Sequence, residues 1–106
     1  MNQDYQERDI ERHLVKRVKE LGGEVRKVQW VGRRGAPDRL VMLPPDAYVD
    51  DQHCTIWVEL KAPGGAETFP ANAHERQQAR EHTRMARMGQ RVVVIDSIEA
   101  VDRLLA

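Results

Sequence analysis

Apolar residues recur along this chain in two rhythms, and the switches between them lay out an architecture. Residues 5–22 keep a helical period: at about 100° per residue, Ile10, Leu14, Val18 and Leu21 share one face, with Val15 at its edge. Asp4 followed by Glu7 fits an N-terminal capping box, and Gly22-Gly23 fits a C-terminal stop. Residues 24–31 then alternate as a first strand. Residues 39–43 (RLVML) and Thr55–Leu60 (TIWVEL) are apolar runs of strand length, the first halted by Pro44-Pro45. The polar stretch between them predicts a hairpin tip.

Residues 62–71 (APGGAETFPA) carry two prolines and two glycines and predict a loop. Asn72 with Glu75 forms another capping box, opening a helix that ends near Gly89. Residues 90–96 (QRVVVID) read as a continuously apolar, buried strand. Ser97 then caps a short helix carrying Ile98, Val101, Leu104 and Leu105. The predicted order is αβββαβα within one α/β domain spanning residues 1–106. Three successive strands, a crossover helix and a fourth strand imply a mixed sheet flanked by helices.

Composition narrows the setting. Of the 106 residues, 41% are hydrophobic, enough for one modest core, and no apolar run nears the roughly 18 residues needed to span a bilayer. The polar N-terminus is unlike a signal peptide, and the single cysteine, Cys54, suits a reducing cytosol, so a cytoplasmic protein is expected. Seventeen basic residues balance seventeen acidic ones, so nucleic-acid affinity would have to come from local clusters of arginine.

The candidate chemistry sits on two strands. Pro37 fixes the backbone entering the second strand, which holds the Asp38 carboxylate at a rigid strand end. Glu59 and Lys61, two residues apart on the third strand, point to one face, while Val58 and Leu60 point to the other. An acid and a lysine on a buried strand need a reason, because burying charge is costly unless it is paired or metal-bound. Phosphodiester hydrolysis supplies one. Asp38 and Glu59 suit Mg²⁺ or Mn²⁺, and Lys61 can orient water or stabilise the transition-state phosphate. A turn aspartate with a structural Glu–Lys ion pair is the competing reading, which would leave a non-catalytic DNA-binding module.

GAPDRLVML (residues 35–43), WVELKAPGG (57–65) and a glutamine-bearing helix followed by QRVVVIDS (90–97) together resemble the virus-type replication-repair nuclease (VRR-NUC) domain. That branch of the PD-(D/E)xK superfamily has a restriction-endonuclease-like core, and the resemblance runs from about residue 7 to 106. It implies that Asp38 and Glu59 ligate metal and that Lys61 is catalytic. It also implies an acid on the first helix, for which Glu7 and Glu11 compete. Glu11 is preferred, because Glu7 is engaged in the expected cap and ERHLVKRV (11–18) is similar to the first helix of archaeal junction resolvases. The inward glutamine of the second helix matches Gln78 better than Gln77. Stand-alone, phage-type members of the family resemble resolvases that act as homodimers on four-way (Holliday) junctions; flaps, nicks or plain duplex are alternative substrates.

Arg33, Arg34 and Arg39 bracket the Pro37-Asp38 turn and are the expected phosphate contacts. On the second helix, Gln78, His82, Met85 and Met88 form the expected core side, and Arg76, Arg80, Arg84, Arg87 and Arg91 a solvated stripe opposite it. The histidines lack zinc spacing and read as incidental. Trp30 and Trp57, each within a strand pattern, read as core residues, and Gly64-Gly65 as a mobile loop near substrate.

Overall fold

Ile10, Leu14 and Val18, the apolar stripe of the first helix, are completely buried. The computed structural model describes residues 5–106. Its elements are α1 (Glu7–Glu20), β1 (Glu24–Lys27), β2 (Arg39–Met42), β3 (Thr55–Leu60), α2 (Ala73–Arg87), β4 (Val92–Ile95) and α3 (Ile98–Leu104). A single 3-10 turn, Pro45–Ala47, lies in the β2–β3 connection. The expected αβββαβα order is therefore the observed one.

The sheet runs β1-β2-β3-β4, antiparallel across the first three strands and parallel between β3 and β4. Alternation along each strand divides it into two faces. Val41, Ile56, Val58, Leu60 and Ile95 pack with α1 and α3 into the hydrophobic core. His13 joins those two helices through Asp102, Nε2 to Oδ1 2.8 Å, beside an Arg17–Asp102 ion pair. Trp57, Glu59 and Lys61 take the other face, which α2 covers; the α2 crossover returns the chain to a strand parallel to β3.

Backbone approach decides one glycine. A Cβ on Gly23 would lie 2.2 Å from the Met42 carbonyl oxygen and 3.0 Å from Val18, so only glycine lets α1 turn so closely into β1.

Several boundaries depart from expectation. Asp4 lies outside the described residues; the α1 cap that is described pairs the Gln6 N–H with Asp9 at 2.7 Å, and Glu7 is the first helical residue. β1 stops at Lys27, so Trp30 and Val31 belong to the following loop, and Val31 is 95% exposed. β4 is an edge strand with only Ile95 buried, because among the described residues no strand lies beyond it. Met88, expected in the core, is 62% exposed, since α2 ends at Arg87. The expected loop after β3 holds, with turns over residues 63–68, and the Ala66 N–H donates to Asp96 at 3.0 Å, fastening the loop to the end of β4.

Candidate active site

The antiparallel pairing of Arg39 with Val58 sets the geometry. Continued by one residue, that register places Asp38 alongside Glu59 at the strand ends. Gly35 shapes the approach. It has φ +83°, and a Cβ there would lie 3.0 Å from the Gln77 carbonyl oxygen of α2, so the turn before Pro37-Asp38 passes directly against that helix. Pro37 is fully buried, and its carbonyl accepts the Trp30 indole N–H at 2.8 Å.

Arg39 ties two of the expected acids together. Its Nε donates to Glu11 at 2.5 Å, and its Nη1 lies 2.7 Å from Asp38 Oδ1. Burial opposes the Arg39 charge, but the hydrogen bond it donates to Glu11 and the charges of Asp38 and Glu11 outweigh it, and the pKa is raised. Buried and doubly paired, Arg39 is not the open phosphate ligand that its position beside the turn suggested. Alternation explains the difference, because Arg39 points with Val41 toward the α1 side of the sheet. Arg33 is likewise held, its Nη2 2.8 Å from Glu81, whereas Arg34 is exposed.

Glu11 is half-buried at this junction, whereas Glu7 is exposed at the helix start. The glutamines divide as the helical wheel predicts. Gln78 is buried and accepts a hydrogen bond from Lys61 Nζ at 2.7 Å, while Gln77 is only half-buried. Lys61 is also 3.0 Å from Glu75 Oε2 and lies over the Phe69 ring, 5.1 Å from its centroid. Glu75 carries a lowered pKa, first from the Ala71 N–H and then from Lys61, so its carboxylate is ionised opposite the ammonium.

Glu59 is buried, and among the described residues its Oε1 has no hydrogen-bond partner. His82 Nε2 stands 3.4 Å away, also without a partner, at an angle that makes no hydrogen bond. The His82 ring stacks on Phe69 with centroids 5.6 Å apart. Neither Glu75 nor His82 was singled out as a site residue in the sequence, yet both face the Glu59–Lys61 pair. The signal available was helical spacing: Glu75, Gln78 and His82 follow at intervals of three and four, one side of α2.

Among the described residues no three His, Cys, Asp or Glu side chains converge into a closed metal cage. Mg²⁺ does not require one, since it is commonly held by one or two carboxylates together with water and substrate phosphate. Asp38 and Glu59 offer hard oxygen donors, and the unpaired Glu59 Oε1 is the atom that such a cation would satisfy. The donor set fits the metal.

No family model matches the chain. A curated protein of Acyrthosiphon pisum secondary endosymbiont phage 1, "Putative nuclease p44", is 43% identical over 91 residues, covering 86% of this chain and 83% of that protein. A solved structure described as a VRR_NUC domain superposes with a TM-score of 0.68 at 32% identity, over 93% of this chain and 92% of that one. The shared architecture is the mixed sheet flanked by helices that carries Asp38, Glu59 and Lys61. Both similarities run nearly the full length of chain and relative, and on them the chain belongs to the VRR-NUC nuclease family.

Proposed function

We propose that this nuclease is a PD-(D/E)xK endodeoxyribonuclease that hydrolyses phosphodiester bonds with Mg²⁺ or Mn²⁺. The observation that carries the reading is the buried face of β3. Glu59 stands there with an unpaired carboxylate oxygen, Lys61 follows two residues on, and the register aligns Asp38 beside them.

Asp38 and Glu59 would hold the cation, with Glu11 adjoining them through Arg39. When bound, the cation supplies Lewis acidity to the phosphate and lowers the pKa of nearby water. Lys61 presents a fixed positive charge toward the scissile phosphate and the attacking water, and Gln78 and Glu75 fix its position from α2. Such preorganisation matters because the donors need no rearrangement as charge develops. Arg34, exposed at the turn, is the open candidate for a DNA phosphate, with Arg33 beside it.

One metal centre per chain, combined with the likeness to junction resolvases, favours a homodimer cutting four-way junctions in opposing strands. Flaps, nicks and plain duplex are the other substrates for the same chemistry. No helix among the described residues is long and apolar enough to cross a membrane. The test is incubation of labelled four-way junction, flap and linear duplex with Mg²⁺, with Mn²⁺ and with EDTA, alongside light scattering of the protein. Paired cuts in the junction by a dimer would support the resolvase reading. A monomer cutting junction and linear duplex equally would remove it.

A further inference from the structure

Beside the carboxylates, between α2 and the loop after β1, lies a cavity of about 360 Å³. That volume is within the roughly 300–1,000 Å³ of small-molecule sites. Trp30, Trp57, Met85 and Met88 wall it, and Arg33 and Arg84 stand at its rim. The two indoles pack at 5.1 Å between centroids with planes tilted by 47°, both are only half-buried, and Met88 is 62% exposed. A large aromatic surface is therefore left without a full cover among the described residues.

The rim is held in place from below. Glu81 is 7% exposed, an unusual burial for a carboxylate, and it pairs with Arg33 at 2.8 Å and with Arg84 at 3.6 Å. An adjoining cavity of about 340 Å³ is lined by Arg34 and Arg80 as well as Arg33 and Arg84. The groove thus combines flat aromatic walls with several guanidinium groups around one neutralising acid. An unstacked nucleotide combines the complementary parts, a planar base and an anionic phosphate. A second copy of this chain is a poorer fit, because twofold pairing on this face would set the arginine stripe against its own image.

Location joins the groove to the chemistry. Trp57 precedes Glu59 by two residues on the same strand face, about 7 Å along β3. The Trp30 N–H is bonded to the carbonyl of Pro37, the residue before Asp38. We propose that the Trp30–Trp57 groove binds one splayed-out nucleobase of the substrate strand, placing the neighbouring phosphate at Asp38 and Glu59. The proposal rests on the nucleic-acid reading above and deepens it.

Trp30 and Trp57 are the only two tryptophans, so intrinsic fluorescence reports on the groove directly. The experiment titrates the wild-type protein, in EDTA, with a short single-stranded DNA and with an abasic strand of equal length and charge. Quenching by the first strand, and roughly fivefold to a hundredfold weaker binding of the second, are expected, as base–aromatic stacking would give. Trp30→Leu should erase the difference and Trp30→Phe should restore part of it. Met88→Glu, at an exposed wall position, should also weaken the base-containing strand and covers the case in which Trp30→Leu does not fold. Equal affinity for the two strands with unchanged fluorescence would overturn the proposal. Conversion of a wild-type dimer to a monomer by Met88→Glu would overturn it too, by assigning the groove to a second copy. Metal-dependent cleavage that persists beside either result would confine the failure to the groove and leave the nuclease reading standing.

Discussion

Glu59 and His82 face each other across the cleft between β3 and α2, Oε1 to Nε2 3.4 Å, and neither atom has a hydrogen-bond partner among the described residues. A folded protein does not gain by keeping a carboxylate oxygen in that condition, since an unsatisfied buried polar atom costs about 1–3 kcal/mol. Glu59→Gln removes the charge and adds a donor that can reach His82. Its expected effect is a stability that holds or rises by roughly 1 kcal/mol in metal-free buffer. Urea unfolding in EDTA measures this, and a clear loss of stability would show Glu59 to be a structural partner instead.

Arg39 carries the opposite expectation. It is buried and neutralises both Glu11 and Asp38. Arg39→Ala leaves two adjacent carboxylates without their cation, and breaking such a buried pair can cost about 3–5 kcal/mol. Because Asp38 and Glu11 are both partly exposed, roughly 2 kcal/mol is expected here. Urea midpoints for the two proteins would settle the size, and an unchanged midpoint would contradict the bridging role.

Each of the neighbouring residue pairs on the helices should separate in activity. Glu11→Gln and Gln78→Ala are expected to slow cleavage tenfold or more, since one adjoins the proposed metal ligands and the other positions Lys61. Glu7→Gln and Gln77→Ala should cut at close to the wild-type rate. For Gln78→Ala the loss should fall on kcat rather than KM, because it acts through Lys61 and not on substrate binding. Equal losses from Glu7→Gln and Glu11→Gln would return the helix-one acid to an open question.

Acid stability follows from Asp50, which fastens the β2–β3 connection to the start of β4. Its carboxylate accepts the Gln52 and His53 N–H groups and pairs with Arg91 at 2.8 Å. The Gln52 hydrogen bond is the chief cause holding its pKa down to about 2, from an ordinary 3.8. Stability from this group is therefore fully present above pH 3.8 and is lost as pH falls toward 2. Glu81, whose pKa is lowered chiefly by the Arg33 hydrogen bond, acts with the same sign. Melting curves between pH 7 and 2 should show a shallower acid decline for Asp50→Asn than for wild type. Superimposable acid limbs would contradict the assignment.

Local physics explains which parts of this arrangement could be read from the chain. Helical and strand periods located the α-helices and strands, because α1, α3 and the sheet share one core while α2 lays its inward side on the opposite face of the sheet. The shared face of Glu59 and Lys61 follows from alternation alone. The same alternation puts Arg39 inward with Val41, a signal available in RLVML and overridden by its nearness to the turn. Other features depend on partners distant in sequence. Glu81 looks like a surface residue moderating an arginine stripe, and Arg33, 48 residues away, supplies the closer of its two ion pairs, beside the local one with Arg84. Trp30 fits a strand pattern, yet its N–H is drawn to the Pro37 carbonyl once the chain has left β1. Helical spacing sets His82 on the same side of α2 as Glu75 and Gln78, but what gives it meaning is Glu59, across the fold.

The assignment of Asp38, Glu59 and Lys61 as a metal-dependent catalytic centre is tested by a cleavage time course on labelled duplex and four-way junction. It compares wild type, Asp38→Asn, Glu59→Gln and Lys61→Ala in Mg²⁺ and in EDTA, with Mn²⁺ affinity measured for each by calorimetry. Wild type should cut in Mg²⁺ and stop in EDTA, and all three variants should lose at least about a hundredfold in rate. Lys61→Ala should still bind Mn²⁺, while Asp38→Asn and Glu59→Gln should bind it far more weakly. Cleavage that survives EDTA, or a carboxylate variant that cuts at the wild-type rate, would contradict that catalytic centre.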